Sequence, residues 1–438
     1  MAQQATIFDL AQPLGGLFGE STRFKTGSDE PSLRTHVSRL GDIRQVWAHA
    51  GCKPVGHFVS VSADGTGAAL DDEECVLPSL AEGLERYCTS VFASEQFLTA
   101  TGAELGSAAL DLTTIAKCSE RELSHPRCPL TAPDTKLPIR WVRGLSLLSG
   151  DVVYVPAVMV YLYTGFATPG ERIWIPITTG CAAHKSYERA LLAAILEVIE
   201  RDAISLVWLQ KLPLPKIEID HFSPKLAAYW NHYQQGSAEL EYFFFDATTD
   251  LGVPTIYGIQ VCQTNSRITT LISCSSALDP AEAILKVMRD MGSSRIPFRR
   301  SRAIPASWDN FSDLFHGATY MARAENANAF DFLLKCSNRR LLSSIPCLEE
   351  TDERRALVGL VNRMRCKGLN IYAVDLSTDE ALRAGFRVVR VLIPGLQPFS
   401  FHYRARYLGH PRLYEAPKLM GYPAHSEERL NAWPQPFS

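Results

Sequence analysis

The chain has 438 residues, with 44 Lys and Arg against 47 Asp and Glu, for a formal charge of −3. A balance this close to neutral gives no reason to expect a general polyanion binder, so no nucleic-acid partner is expected. Hydrophobic residues at 46% and charged residues at 21% make a folded globule rather than a disordered chain. The N-terminus lacks the basic start and apolar run of a secretory signal. The longest apolar stretch, Val152 to Tyr163, is too short to span a bilayer and is broken by Pro156, so no membrane partner is expected either. Eleven cysteines scatter from Cys52 to Cys366 without a CxxC pair, which predicts reduced, mostly buried thiols in a cytoplasmic protein.

In chain order, the first 75 residues read as short strands and loops, with Gly56 to Val61 as one apolar run. Leu80, Leu84, Tyr87 and Val91 then repeat at helical spacing and predict a helix over 80–93. A Pro-punctuated loop at Pro126, Pro129 and Pro133 leads into two β-rich runs, 151–165 and 172–179. Ser186 is a candidate N-cap for one long helix over 190–206, which holds neither Gly nor Pro. Strands are predicted over 240–245, 255–262 and 268–274, and a helix over 281–291 behind Pro280. Two further strands are expected over 369–375 and 386–393, followed by an extended Pro-, Tyr- and Arg-rich tail. Strands mixed with long helices, without a regular βαβ rhythm, indicate an α/β (α+β) architecture.

The chain has no GxxxxGK[ST] loop, GxGxxG fingerprint, HExxH pair or GxSxG elbow. Cys118, His125 and Cys128 lack a fourth ligand at regular spacing. What stands out is one pattern written twice: Glu82-Gly83-Leu84-Glu85-Arg86 and Glu197-Val198-Ile199-Glu200-Arg201. On a helix, positions i, i+3 and i+4 share a stripe, so each segment presents two carboxylates and a guanidinium on one side. A solvated face laced with Glu/Arg pairs would explain one copy. Two copies, one flanked by Leu191, Ala194, Ile195, Val198 and Ile199, suggest convergence on a ligand. Carboxylates bridge Mg²⁺ to phosphate oxygens and guanidinium forks clamp the rest, so the pattern suits a nucleoside triphosphate bound without a glycine loop. Lys286 and Asp290, at i and i+4 behind Pro280, add a cation and a carboxylate on one face.

These residues resemble the YcaO family. Thr179 to His184, Ser186 and Glu197 to Ala203 are similar to its central signature, and Glu82 to Tyr87 to its first. Pro394-Gly395-Leu396, the Arg406 to Gly409 run and the Pro-rich end resemble its C-terminal third, so the likeness covers roughly residues 60–438. It implies one large domain of mixed sheets and flanking helices over 61–404. Residues 1–60 would be an arm of the same globule, and 405–438 a tail docking toward the active site. It also implies an enzyme that uses ATP and Mg²⁺ to activate a backbone amide of a precursor peptide. In the azoline-forming branch a Cys, Ser or Thr side chain attacks the preceding carbonyl, whose oxygen leaves as phosphate. Carried over, Glu82, Glu85, Glu197 and Glu200 hold Mg²⁺ and phosphates, Arg86 and Arg201 stabilise phosphate charge, and Ser79, His184, Ser186, Lys286 and Asp290 complete the nucleotide site.

Some positions depart from the family pattern. Pro78 stands where Ser is frequent, with Ser79 one place along, and Gly65-Thr66-Gly67 replaces a frequent Gly-Lys-Gly. Lys286 and Asp290 replace Arg and Glu, which keeps charge and changes reach. Pro434 and Pro436 supply two of the three prolines of the PxPxP tail, a match that favours cyclodehydration. Trp433 and Phe437 would anchor that tail, and the Ser438 carboxylate would serve proton transfer. Removing residues 434–438 is expected to depress activity and leave stability little changed. With no stretch left over for leader recognition, a discrete E1-like leader-binding partner is expected, together with a flavin-dependent azoline dehydrogenase and a homodimer within a larger complex. Thioamide formation and a non-catalytic scaffold role remain the alternatives.

Overall fold

The computed structural model describes residues 6–12, 14, 16–27, 31, 33–53, 55, 64–235, 239–265, 267–299 and 302–437. In chain order the strands are β1 (Thr22–Phe24), β2 (Arg34–Ser38), β3 (Gly65–Ala69), β4 (Leu98–Thr101), β5 (Pro138–Ser146), β6 (Val152–Pro156) and β7 (Cys181–His184). They continue with β8 (Lys216–Glu218), β9 (Leu240–Asp246), β10 (Thr255–Cys262), β11 (Thr270–Ser276), β12 (Arg339–Leu341), β13 (Tyr372–Asp375) and β14 (Arg387–Leu392). Five helices bear on the site: α1 (Asp72–Ser90), α2 (Tyr187–Gln210), α3 (Pro280–Ser294), α4 (Glu353–Cys366) and α5 (Arg412–Leu419). This is the mixed α/β architecture expected.

The strands form three sheets: β1-β2-β3, β11-β10-β9-β8-β12, and β4-β5-β13-β14-β7 with β6 also on β5. Pairing is antiparallel except between β8 and β12. Helix α2 is the pillar between the two larger sheets, packing on β7 and β14 of one, β11 of the other, and on α4 and α5. That position explains its sequence: every residue from Asp202 to Gln210 is buried, so the helix is apolar nearly all round. Ser186 caps it, accepting a hydrogen bond from the Arg189 amide at 3.3 Å. Helix α3 begins at Pro280 behind the Asp279 cap, and both strands after residue 369 are present.

Several expectations need correction. Helix α1 starts at Asp72, eight residues before Leu80, capped by Asp71 and led by Asp72, Glu73 and Glu74 at the positive end of its dipole. Pro78 lies inside it, lacking one backbone donor, and this made the apolar pattern read as a later start. Residues 172–179 form no strand. Their backbone instead meets loop partners, with Arg172 O accepting from Thr131 N at 2.7 Å and Ile175 N donating to the Tyr407 hydroxyl at 3.0 Å. The tail is not extended throughout, because α5 forms inside it. Strand β5 and helix α4 had no counterpart in the sequence reading. The run 56–61 lies outside the described residues.

Seven of the eleven cysteines are buried. Among the described residues no helix is long and apolar enough to cross a membrane.

Candidate active site

Helices α1 and α2 turn their charged stripes toward one another across a cleft of about 500 Å³. Glu82, Glu85 and Arg86 line it from α1, and Glu197, Glu200 and Arg201 from α2. Each carboxylate is aimed by a backbone amide, and the four amides come from three places in the fold. Thr66 N donates to Glu82 Oε2 at 2.6 Å, and Ala183 N to Glu85 Oε1 at 2.8 Å. Gly180 N donates to Glu197 Oε2 at 2.9 Å, and Ser276 N to Glu200 Oε2 at 3.3 Å.

Two glycines make this aiming possible. Gly65 lets β3 lie on the α1 backbone: a Cβ there would stand 2.0 Å from Ser79 O and 2.3 Å from Gly83 N. Gly180 has φ +81°, and a Cβ there would meet Val391 O at 2.4 Å. The Gly65-Thr66-Gly67 departure is thus a close-packing device whose middle amide holds Glu82.

The guanidiniums sit among these carboxylates. Arg86 Nη2 bonds Glu82 Oε1 at 2.6 Å, and Arg201 Nη2 reaches Glu197 Oε1 at 3.1 Å. Arg201 also bonds Glu200, which is only 3% exposed and meets Lys286 Nζ at 3.3 Å. Burial, with Glu197 and Glu82 nearby, raises the Glu85 carboxyl to about 8. Burial and Glu200 raise Glu197 as well. Asp290 also lines the cleft, and burial pushes it up to about 6, against the pull of Lys286. For Arg201 burial opposes the charge, and Glu200 and Glu197 outweigh it, raising its proton affinity. Glu200 does the same for Lys286. The cleft therefore holds carboxylates that a cation would relieve, and cations positioned for anionic oxygens.

Not every expected residue joins this group. Ser79 is fully buried, its hydroxyl donating to Val76 O and bonded to Ser38 Oγ, both at 2.8 Å. The Pro78/Ser79 displacement turned that hydroxyl under the small sheet, away from the cleft walls. Ser186 is spent on capping α2, while its amide donates to His184 Nδ1 at 3.0 Å at the far end of β7. Neither His184 nor Ser186 lines the cleft. Ser438 lies outside the described residues. Among the described residues, no three His, Cys, Asp or Glu side chains stand close enough to cage a metal on their own. The four glutamates are therefore no ready-made metal cage. They suit a Mg²⁺ that keeps phosphate oxygens and water as its other ligands.

The tail reaches the same place. Trp208 Nε1 on α2 donates to Trp433 O at 3.3 Å, and Asn431 N to Leu209 O at 2.8 Å. Phe437 is buried, its ring 5.3 Å from Tyr257, and it lines the cleft. Asp202, at the end of the charged signature, has a different task. Fully buried, it binds Arg412 Nη2 at 2.7 Å and the Gln397 amide at 2.8 Å, tying α2 to α5. The sequence carried no signal for the four backbone donors, because any residue type supplies an amide.

Residues 66–397 match the YcaO family, described as YcaO cyclodehydratase, ATP- and Mg²⁺-binding. An uncharacterized protein in the tfuA 3′ region of Rhizobium leguminosarum bv. trifolii is 24% identical over 389 residues, 84% of this chain and 85% of that protein. Among solved structures, a heterocyclase in complex with substrate and cofactor superposes at TM-score 0.78 with 22% identity, over 98% of this chain. The present chain spans 56% of that heterocyclase's length. YcaO from Methanopyrus kandleri, bound with AMPPCP and Mg²⁺, gives TM-score 0.61 with 18% identity over 87% of this chain and 86% of that one. The E. coli microcin synthetase McbBCD complex gives TM-score 0.61 with 15% identity over 98% of both chains. With three quarters of its length matched and the signature glutamates and arginines gathered in one cleft, this chain belongs to the YcaO family, an ATP- and Mg²⁺-binding fold of cyclodehydratases.

Proposed function

We propose that this chain is the ATP-using subunit of a peptide azoline synthetase, closing thiazoline or oxazoline rings on Cys, Ser or Thr of a ribosomal precursor. The observation that carries this reading is the cleft itself, which gathers four glutamates with Arg86 and Arg201 and has the tail's Phe437 in its wall. Bound ATP with Mg²⁺ supplies the phosphoryl group that turns an amide oxygen into a leaving group. The chain's own part is electrostatic and positional. Glu82, Glu85, Glu197 and Glu200 hold the cation and its phosphates, each kept in place by a backbone N–H. Arg86, Arg201 and Lys286 face anionic oxygens, and Asp290 titrates close enough to neutrality to exchange protons. The docked tail closes one side of the cleft to water.

An E1-like leader-binding partner, assembly as a homodimer within a larger complex, and oxidation of azolines by a flavin-dependent dehydrogenase belong to the same proposal, as does a cytoplasmic location. The likeness to a synthetase solved as a complex supports the partner. The test combines the full chain, an E1-like partner, a Cys- and Ser-containing precursor, ATP and Mg²⁺. Loss of one water per ring, matched by ATP consumed, is the expected result. Thioamide formation is the second reading, because the tail carries only two of the three prolines whose presence favours cyclodehydration. Products that exchange oxygen for sulfur when sulfide is supplied would replace the first reading with the second. Absence of ATP turnover under every condition would leave only a scaffold.

A further inference from the structure

Beside Arg201 lies a second and smaller pocket of about 40 Å³. It shares Ile177, Thr179, Arg201 and Phe399 with the main cleft. Most of its wall is apolar, including Met159, Val198, Leu392 and Leu396. Set in that wall is Arg390, on the central strand β14, where it stands opposite Cys181 of β7 and Val374 of β13.

Arg390 is 2% exposed, and its Nε and Nη1 have no hydrogen-bond partner among the described residues. Three more residues of this wall carry buried polar atoms without a partner: Thr179 Oγ1, Trp174 Nε1 and Gln397 Oε1. The Gln397 amide nitrogen is already engaged, donating to Arg406 O and Tyr407 O at 3.3 Å each. Arg201 is likewise engaged, by Glu197 and Glu200. Arg390 is therefore the cation in this pocket whose charge is not answered by an ion pair among the described residues.

Glu197 acts on Arg390 only at a distance, without an ion pair or hydrogen bond between them. A buried guanidinium left so is destabilising, and each unmade hydrogen bond adds to that. A central strand would not carry such a side chain for packing alone. The donors, two from Arg390 with the Thr179 hydroxyl and the Trp174 indole, call for an occupant with a negative charge. The acceptor Gln397 Oε1 calls for one that also presents a proton. One cation without an ion pair amid apolar surface, with Glu197 already acting on it from a distance, admits one negative charge and disfavours two. At roughly 10–15 Å³ per water, the space suits an occupant about the size of three or four waters.

We propose that this pocket binds a small, singly charged anion that keeps a proton: hydrosulfide, bicarbonate or dihydrogen phosphate. The site adjoins the cleft proposed to take ATP, with Arg390 in the smaller pocket only, and stands whether or not the azoline reading holds. Burial lowers the proton affinity of Arg390 against the partial pull of Cys181 and Glu197, and a bound anion would add to that pull.

The test titrates the full-length chain, free of nucleotide and Mg²⁺, with the sodium salts of the three anions at matched ionic strength. Chloride, which has no proton to offer Gln397, is the reference. Calorimetry and thermal melts are the readouts, for wild type, Arg390→Met and Thr179→Val. One of the three anions should bind saturably and raise the melting temperature beyond chloride. Its affinity should fall at least about tenfold in Arg390→Met and less in Thr179→Val. Crystals soaked in that anion should show it against Nε and Nη1 of Arg390. Three outcomes overturn the proposal. All three anions matching chloride is one, and water alone in the soaked pocket is another. The third is an affinity unchanged in Arg390→Met, which would assign the anion to the main cleft. Thr179→Val, nearly isosteric, keeps the question open to measurement if Arg390→Met does not fold.

Discussion

Glu85→Gln replaces the cleft carboxylate with the largest upward shift by a neutral group of the same shape, one that can still accept the Ala183 amide. The folded carboxyl titrates at about 8 against 4.5 for the free group, so the folded chain holds this proton more tightly than the unfolded chain. The unliganded protein accordingly loses stability as pH rises from about 4.5, and the loss is complete above about 8. At 1.36 kcal/mol per pH unit the ceiling is about 5 kcal/mol, and about 2–3 kcal/mol is expected once water in the open cleft is allowed for. Thermal melts of both proteins between pH 6 and 9 measure it. The wild-type curve should fall more steeply with pH than the Glu85→Gln curve, so that the variant is the more stable protein at pH 9. Mg²⁺ with ATP should reverse the order, stabilising wild type increasingly toward pH 8 and the variant hardly at all, with turnover lost in the variant. Asp290 and Glu197 titrate upward in both proteins, so the difference between the curves isolates Glu85. Parallel melting curves, or wild-type nucleotide affinity in Glu85→Gln, would refute the assignment of this carboxylate to a cation.

Glu197→Gln and Glu200→Gln should each abolish ATP-dependent turnover. The second should also lose about 3 kcal/mol in denaturant melts, since it leaves Arg201 and Lys286 facing a neutral group in a buried place. Gly65→Ala should cost about 2 kcal/mol or more and weaken Mg²⁺ binding together, because its Cβ pushes β3 off α1 and carries the Thr66 amide away from Glu82. A stability loss with unchanged metal affinity would separate the two effects and sink the second. Phe437→Ala should destabilise by about 2–3 kcal/mol and slow turnover while leaving ATP binding intact, as measured by melts and titration. The burial of that ring argues against the expectation that losing residues 434–438 leaves stability little changed, and melts of the deletion decide it.

Much of the site was written in local order. The spacing of Glu82, Glu85 and Arg86, and of Glu197, Glu200 and Arg201, is set by the turn of a helix, so one stripe on each helix follows from sequence alone. The presence of one long helix at α2, its Ser186 cap and the strands over 240–262 are equally local matters of pattern and capping. Tertiary structure decided the rest. That the two stripes face each other depends on α2 standing between two sheets, a packing no single segment specifies. The N–H groups of Thr66, Gly180, Ala183 and Ser276 are chemically anonymous, and only the approach of β3, β7 and β11 to the helices turns them toward carboxylates. Ser79 shows the same limit from the other side. One position along a helix is about 100° of rotation, and that step buries its hydroxyl beneath the small sheet, away from the cleft. Arg390 reads as one charge within the strand pattern Arg387–Leu392. Its isolation beside Thr179, Trp174 and Gln397 exists only where segments more than 200 residues apart in the chain close around it.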